Sequence, residues 1–528
     1  MGLLAVAMAA TACAPDPSLT ENRERPAAAS TLRRALGAVP ATLDPHAAED
    51  NAALAVAADL YEGLTTEAAD GSIVPGAAAS WTISDGGRTY TFILRSDLKW
   101  SNGEELTAEH FAAALRRVTA STATAPYAAL LADLESIEVV TRDTLRIRLA
   151  RPVPYLPALL AQPIAAPLHP GSIPASAPTG NGPFRLVAQA RGDRIELERN
   201  PYYHGVREVA LDRVVHFTIE DLGTELALYR TGELDMTSEV PNAQLAALEE
   251  RLPGELVITP YLSTYAYAVN ITRIPNAQVR RALAMAVDRE RITRQVTGAG
   301  ERPALGWVPE GIPGYSPARF AWSELPYRES AREARALWNA ARATGNAPAR
   351  LVLCTDASAN HHRTAVALAD LWRTALGVET ELVELEWNVY LDTRRNPGDC
   401  DLIRYGWSAD FVDPEAFAAV FETAHPQNTL GYSSEAYDAL LAQSRTTADD
   451  RERKELLRQA ETRLLEDVPV IPVFFRVSKR LVKPYVTGVG ANPLGHVPSR
   501  YLHIERAQEK GREARAARPK WTWRSGDS

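Results

Sequence analysis

The chain has 528 residues, of which 46% are hydrophobic and 23% are charged, so it can bury a large core as a globular protein. At roughly 100–200 residues per domain, this length permits about three domains. A net charge of −9 at pH 7 excludes a general attraction to nucleic acid or to an anionic membrane surface.

The first 13 residues, MGLLAVAMAATAC, form an apolar stretch typical of an export signal. Small residues precede Cys13, so we expect residues 1–13 to be a lipoprotein signal and Cys13 to become the acylated residue. No Lys or Arg precedes the apolar run, which leaves two alternatives: a start further upstream, or a buried or disordered N-terminus. Residues 14–31 are rich in Pro, Ala and polar groups, and we expect a flexible linker there.

Strands and helices are mixed along the body of the chain, and we expect the basic tail at 506–528 to be disordered. Residues 89–95 alternate and are rich in β-formers, which predicts a strand. Residues 107–119 predict an amphipathic helix with Thr107 as its N-cap. We also expect a strand over 194–198 and one continuous helix over 276–294.

Residues 350–408 show a repeated strand–helix rhythm, which predicts a small parallel α/β domain. Ligands of such sheets bind at the carboxyl ends of the strands. The last strand, DLIRYGW, contains Arg404 and Trp407 and is followed by Asp410. This charged and aromatic group is therefore the candidate ligand site.

The three cysteines form no CxxC pair, which excludes a zinc ribbon or a thioredoxin-like motif. Cys354 and Cys400 could pair in an exported protein. Sequence alone cannot place their Cα atoms within bonding distance, so the pairing stays open, with a disulfide the less favoured alternative.

The motifs of hydrolases, zinc proteases and phosphate-binding loops are absent from the sequence. Residues 96–99 match SxxK, but they follow a predicted strand and lack a Lys-Thr-Gly partner. We therefore predict no enzyme activity and no cofactor. The pair His361-His362 lies on a predicted helix, where neighbours point about 100° apart, so we expect exposed or capping histidines rather than metal ligands.

Five sequence blocks follow one another between residues 40 and 485: TLDPH with LYEGL, ASW with YTFILR and WSNGE, GNGPF with ERNPYY, VRRAL with AVDR, and EW with LDTR and RYGWSAD. Together they resemble the oligopeptide-binding proteins of bacterial ABC importers, family 5 of the solute-binding proteins. Several of these residues also have a purely structural interpretation. Trp81 and Trp100 suit a core, and residues 180–183 suit a close crossing of two backbones.

The resemblance implies an α/β fold with the two lobes of a type II-like periplasmic binding protein, mixed sheets, and an extra subdomain in the first lobe. The expected boundaries are a first lobe at 32–270 with an inserted subdomain at about 60–190, a second lobe at 271–485, and a return to the first lobe at 486–505. The chain would cross between the lobes near 265–275 and 480–490.

The resemblance also implies a peptide site. Asp410 matches the residue that holds the peptide α-ammonium, and five further residues match the pocket: Trp407 and Trp387 as aromatic walls, Arg404 and Arg394 as partners of peptide carboxylates, and Glu49 as a pocket glutamate. Alternatively, Asp410 caps a following helix and the tryptophans belong to the core. Ser408 stands where some relatives have a cysteine, so the disulfide of those relatives is absent here.

The implied function is the extracytoplasmic substrate-binding component of an ABC peptide importer. It would capture short peptides by hinge closure and deliver them to a membrane permease. We expect a monomer in the periplasm or on the outer face of the cytoplasmic membrane, attached at most by lipid on Cys13. The open alternatives are murein-peptide recycling or sensing, a nickel- or haem-binding relative, and a scaffold partner that has lost binding.

Overall fold

A computed structural model describes residues 30–120, 125, 127–172, 178–190, 192–425, 427–429, 431–447 and 449–505. Cys13, most of the linker and the 506–528 tail lie outside the described residues. The expectations for these segments therefore stay predictions. The side chains at 359, 387 and 388 also lie outside this description. Within the described ranges, no helix combines the length and apolarity needed to cross a membrane.

The strands are β1 Thr31–Ala35, β2 Thr65–Glu67, β3 Ile73–Pro75, β4 Ala78–Ser84, β5 Thr89–Leu94, β6 Leu134–Thr141, β7 Thr144–Leu149, β8 Phe184–Ala190, β9 Arg194–Arg199, β10 Arg213–Phe217, β11 Leu256–Val269, β12 Arg302–Pro303, β13 Arg350–Asp356, β14 Glu379–Leu385, β15 Leu402–Ser408, β16 Val470–Leu481, β17 Val486–Thr487 and β18 His503–Ile504.

The α-helices are α1 Asn51–Leu60, α2 Ala108–Thr119, α3 Leu156–Leu159, α4 Leu222–Thr231, α5 Leu245–Arg251, α6 Ala277–Met285, α7 Arg289–Arg291, α8 Tyr327–Ala343, α9 Ala359–Leu376, α10 Trp387–Arg395, α11 Glu415–Ala418, α12 Glu435–Thr446 and α13 Asp450–Asp467.

The first sheet has the order β1-β10-β9-β8, in which β1 and β10 are parallel and the other pairs are antiparallel. Its buried residues pack with those of α1 in one core. Two glycines pass directly against the end of α1. A Cβ on Gly180 would lie 1.9 Å from the carbonyl oxygen of Leu60, and one on Gly182 would lie 2.5 Å from the carbonyl carbon of Leu60. The predicted close crossing is confirmed, because no residue with a side chain fits there.

The second sheet has the order β4-β5-β7-β6 and is antiparallel throughout. Helix α2 covers it with Phe111, Leu115 and Val118, which share a buried core with the sheet. The helix follows Thr107, whose backbone N–H donates to His110 Nδ1 at 3.1 Å. The predicted strand and N-capped helix are confirmed here, and Trp100 is a buried core residue as expected.

The third sheet has six strands in the order β12-β16-β11-β15-β13-β14. The pairs β13–β14 and β13–β15 are parallel, whereas β11 runs antiparallel to β15 and to β16. The predicted small parallel domain is therefore wrong as a separate domain, because its strands form one half of a mixed sheet. At the far end of β11 and β16, Met236 bridges both Arg34 and Val482, which connects this strand pair to the first sheet.

The prediction of one helix over 276–294 is wrong. Helix α6 ends at Met285, and a new turn begins at α7. Asp288 caps the new turn, because its side chain accepts from the backbone N–H of Arg291 at 3.0 Å. Arg289 is buried at the break and donates from Nη1 to the carbonyl of Ala284 at 3.1 Å and from Nε to that of Pro472 at 2.9 Å. Apolar spacing continues across the break, and for that reason periodicity alone did not reveal it.

The pairing of the two cysteines, which the sequence left open and did not favour, does occur. Cys354 and Cys400 form a disulfide with a Cα–Cα distance of 5.8 Å. Cys354 lies in β13, and Cys400 lies just before β15. These two strands pair side by side in parallel, which brings the two residues together. The pairing of β13 with β15 follows from the assembled sheet and not from local sequence.

Candidate functional site

One edge of β15 is only partly covered. Along its whole length β15 pairs with β11, but on the other side β13 reaches only Leu402 and Ile403. Among the described strands, nothing pairs with residues 404–408 on that side. The Tyr390 hydroxyl donates to the Arg404 carbonyl at 2.8 Å, so at this residue a side chain contacts the edge of the strand. Such an edge offers backbone N–H and C=O groups to an extended chain.

Asp410 lies just beyond the end of β15 and is half-buried. No described residue donates a hydrogen bond to its carboxylate; its backbone carbonyl accepts one from Gln162. Burial raises the pKa of Asp410 to about 6, although the nearby His496 opposes this shift. A partly desolvated carboxylate without a hydrogen-bond partner favours a cationic ligand that restores the lost interactions.

Glu49 and Tyr127 lie in the same region as Asp410. The pKa of Tyr127 is raised to about 12, first by burial and then by the negative charges of Asp410 and Glu49. Glu49 is exposed. The structure thus brings together two of the predicted site residues, which are far apart in sequence. Tyr127 was not predicted, because nothing in its Ala-rich surroundings distinguishes it from a core tyrosine.

Arg404 is buried beside Asp356, the last residue of β13. Its Nε donates to Asp356 Oδ1 at 3.2 Å, and its guanidinium lies 4.9 Å from the centre of the Tyr390 ring. His361 Nδ1 lies 2.7 Å from the same carboxylate oxygen. Burial would raise the pKa of Asp356, but the bond to His361 and the charge of Arg404 lower it to about 2.

One expectation from the sequence is wrong in this cluster, and one residue of the cluster was missed. His361 is neither exposed nor a cap, because it packs against Tyr265 with ring centres 5.3 Å apart while bonding Asp356. Asp356 was not predicted, although its place at the carboxyl end of a parallel strand is the signal that could have identified it. Among the described residues, no group of three or more His, Cys, Asp or Glu side chains could hold a metal ion.

The remaining predicted residues surround the same strand. Arg394 of α10 lies 4.9 Å from the centre of the Tyr405 ring. Trp407 donates from Nε1 to the Ala416 carbonyl at 2.6 Å and packs partly against the core, which fits its structural interpretation. Trp387 is the first residue of α10, and its side chain lies outside the described part of the structure.

Comparison with known proteins gives a consistent result. The family model of the bacterial extracellular solute-binding proteins, family 5 (middle region), matches residues 72–429. The periplasmic oligopeptide-binding protein OppA of Haemophilus influenzae is 34% identical over 500 residues, covering 89% of this chain and 92% of that protein.

Two further relatives carry different names. The probable deoxycholate-binding periplasmic protein YgiS of Escherichia coli is 34% identical over 494 residues, covering 88% of this chain and 92% of that protein. The structure of the murein tripeptide binding protein MppA of Escherichia coli matches with a TM-score of 0.81 at 29% identity, covering 91% of this chain and 99% of that chain.

Proposed function

This chain belongs to the bacterial extracellular solute-binding proteins of family 5, and we propose that it is the periplasmic peptide-binding component of an ABC importer. The predicted family and the predicted two-lobed α/β fold are confirmed. The observation that carries the proposal is the edge of β15 at residues 404–408, which no described strand covers and which leads to the carboxylate of Asp410, to which no described residue donates a hydrogen bond.

These two features match the parts that every peptide shares. An extended peptide pairs its main chain with residues 404–408, which gives affinity without reading the side chains. Its α-ammonium then meets Asp410 in a charge-assisted hydrogen bond, roughly twice as strong as a neutral one. The ammonium fixes the register, and Glu49 adds a second negative charge in the same region.

The opposite end of the peptide faces cations. Among the described residues, Arg404 donates one of its five N–H groups to Asp356. The other four remain available for a peptide carboxylate. Arg394 adds a second guanidinium near Tyr405, and Trp407 and Trp387 would wall the side-chain pockets. Residues 404 to 410 span at most about 20 Å at roughly 3.3 Å per residue, which suits peptides of about six residues or fewer.

Thermal unfolding with a pool of two- to seven-residue peptides tests this proposal. A peptide at 100 times its Kd should stabilise the protein by about 2.7 kcal/mol and raise Tm by a few degrees. Asp410→Asn should abolish most of this shift, whereas Asp143→Asn, an exposed aspartate in the turn after β6, should preserve it. N-acetylated peptides should shift the wild type no more than they shift Asp410→Asn. If no peptide raises Tm, the proposal is wrong.

A second candidate function is binding of murein peptide, favoured by the similarity to the murein tripeptide binding protein. The same pocket serves both functions, since a murein peptide also has a main chain and carboxylates. Adding a murein tripeptide and deoxycholate as separate ligands in the unfolding assay distinguishes the cargoes. A larger shift with the murein tripeptide than with any linear peptide would favour this second function.

The remaining features of the transport role extend the proposal. The lobes, with the predicted boundaries, would close around the peptide by bending β11 and β16, the strand pair that connects the third sheet to the first. A membrane permease would receive the closed form. The protein would act as a monomer without catalysing any reaction, and Cys13 would carry the lipid anchor.

A further inference from the structure

The loop at 409–413, which carries Asp410, is contacted from a distant part of the chain. Gln162, in the turn after α3, donates from Nε2 to the Asp410 carbonyl at 3.1 Å across 248 positions of sequence. The same Nε2 lies 3.4 Å from Glu67 Oε1. One amide group therefore links the carboxylate-bearing loop to the end of β2.

Glu67 is itself held firmly. It is buried, and its Oε2 accepts from Asn492 Nδ2 at 3.2 Å and lies 2.8 Å from His496 Nδ1. Burial would raise the pKa of Glu67, but His496, Asn492 and Gln162 together lower it, so the group is a carboxylate at neutral pH. Gln162 thus connects the loop to an anchored anion rather than to a mobile side chain.

A ring contact supports the same junction. Tyr155, one residue before α3, stacks on Phe411 with ring centres 4.6 Å apart and an interplanar angle of 15°. In the same loop, Asp413 pairs with the buried Arg453 of α13. The loop is therefore held by residues 155–162 and by α13, which lies in the half of the molecule that contains the third sheet.

We propose that Gln162 is a positioning residue for the peptide α-ammonium: its amide joins the Asp410 loop to Glu67 and couples closure of the cleft to placement of the carboxylate. This inference rests on the proposed function. Gln162 belongs to the predicted first lobe and Asp410 to the predicted second lobe, so under the proposed hinge closure this contact forms as the lobes meet. Its loss should speed peptide dissociation and leave association nearly unchanged, because association precedes closure.

Stopped-flow measurements with Ala-Ala-Lys, labelled with a fluorophore on the lysine side chain, test the inference. Gln162→Met keeps the length of the side chain and removes the donor, so dissociation should be about 3- to 10-fold faster with association within about twofold. Gln162→Glu places a second carboxylate beside Glu67 and should accelerate dissociation further. Gln189→Met, at an exposed position of β8, is the matched control and should leave both rates unchanged.

The N-acetylated form of the same peptide separates positioning from simple lobe contact. Without an ammonium, the effect of Gln162→Met should fall below about twofold. An equal effect on both peptides would overturn the positioning role, and so would a Gln162→Met dissociation rate equal to that of the control. If the wild type binds the free peptide and Asp410→Asn weakens that binding, either of these two results overturns this inference alone. A wild type that binds no peptide of the two- to seven-residue pool overturns both proposals.

Discussion

Breaking the Cys354–Cys400 disulfide should destabilise the half of the third sheet that contributes to the peptide site. The two cysteines are separated by 46 positions. Closing a loop of that length removes unfolded-state entropy equivalent to about 4 kcal/mol at 25 °C. The loop contains α9, β14 and α10, and these elements carry His361 and Arg394. Local opening after reduction should therefore appear first in α9 and α10.

Hydrogen exchange in increasing urea, followed on fragments of α9 and α10, measures this effect. Oxidised wild type is compared with reduced wild type, which keeps the volume of both side chains, and with Cys354→Ala/Cys400→Ala. The double variant should lose slightly more stability, because it also leaves a gap beside the buried Tyr390 and Ile403. A change below about 1 kcal/mol on reduction would refute the entropy argument. Full alkylation of both thiols without reductant would refute the bond itself.

Three further predictions concern charge and pairing. Peptide affinity should fall by up to about tenfold per pH unit below pH 6, because Asp410, with a pKa of about 6, no longer attracts the ammonium once it is protonated. Calorimetry that finds equal affinity at pH 5 and pH 8 would contradict this prediction. Burial raises the pKa of Glu461 to about 7 in the folded state, so the associated stability is present below pH 4.5 and is lost as pH rises to 7. Glu461→Gln should flatten this decline in urea titrations, and an unchanged slope would exclude Glu461 as its source. Ser263 and Ser408 are cross-strand partners with their hydroxyls 2.9 Å apart, so Ser263→Cys/Ser408→Cys should form a second disulfide. Complete alkylation of both new thiols without reductant would show that the side chains do not meet as described.

The elements that sequence predicts best are those whose signals are local. Residues 89–94 alternate, and residues 108–119 combine an N-cap with apolar positions at helical spacing, so strand β5 and helix α2 follow from their own residues. The strand–helix rhythm from 350 to 408 is likewise contained in contiguous sequence. The ordered blocks from 40 to 485 were sufficient to identify the family.

The features that the sequence analysis missed involve contacts between elements that are distant in sequence. At the break after α6, Asp288 caps the new turn, and the guanidinium of Arg289 bonds the carbonyl of Pro472, 183 positions away. The disulfide depends on β13 and β15 lying side by side. The partner of Arg289 and the partner strand of β13 both lie in other elements, and apolar periodicity in the local sequence does not refer to them.

The features of the candidate site likewise divide into those visible in the sequence and those that depend on distant contacts. The family, most of the local elements, and Asp410 and Arg404 as site candidates at the end of a predicted strand follow from the sequence alone. The folded chain adds that no described strand covers residues 404–408 of β15, that Arg404 pairs with Asp356, and that Gln162 contacts the Asp410 loop. Propensity and capping act within a few residues, whereas strand pairing and burial join residues that can lie hundreds of positions apart.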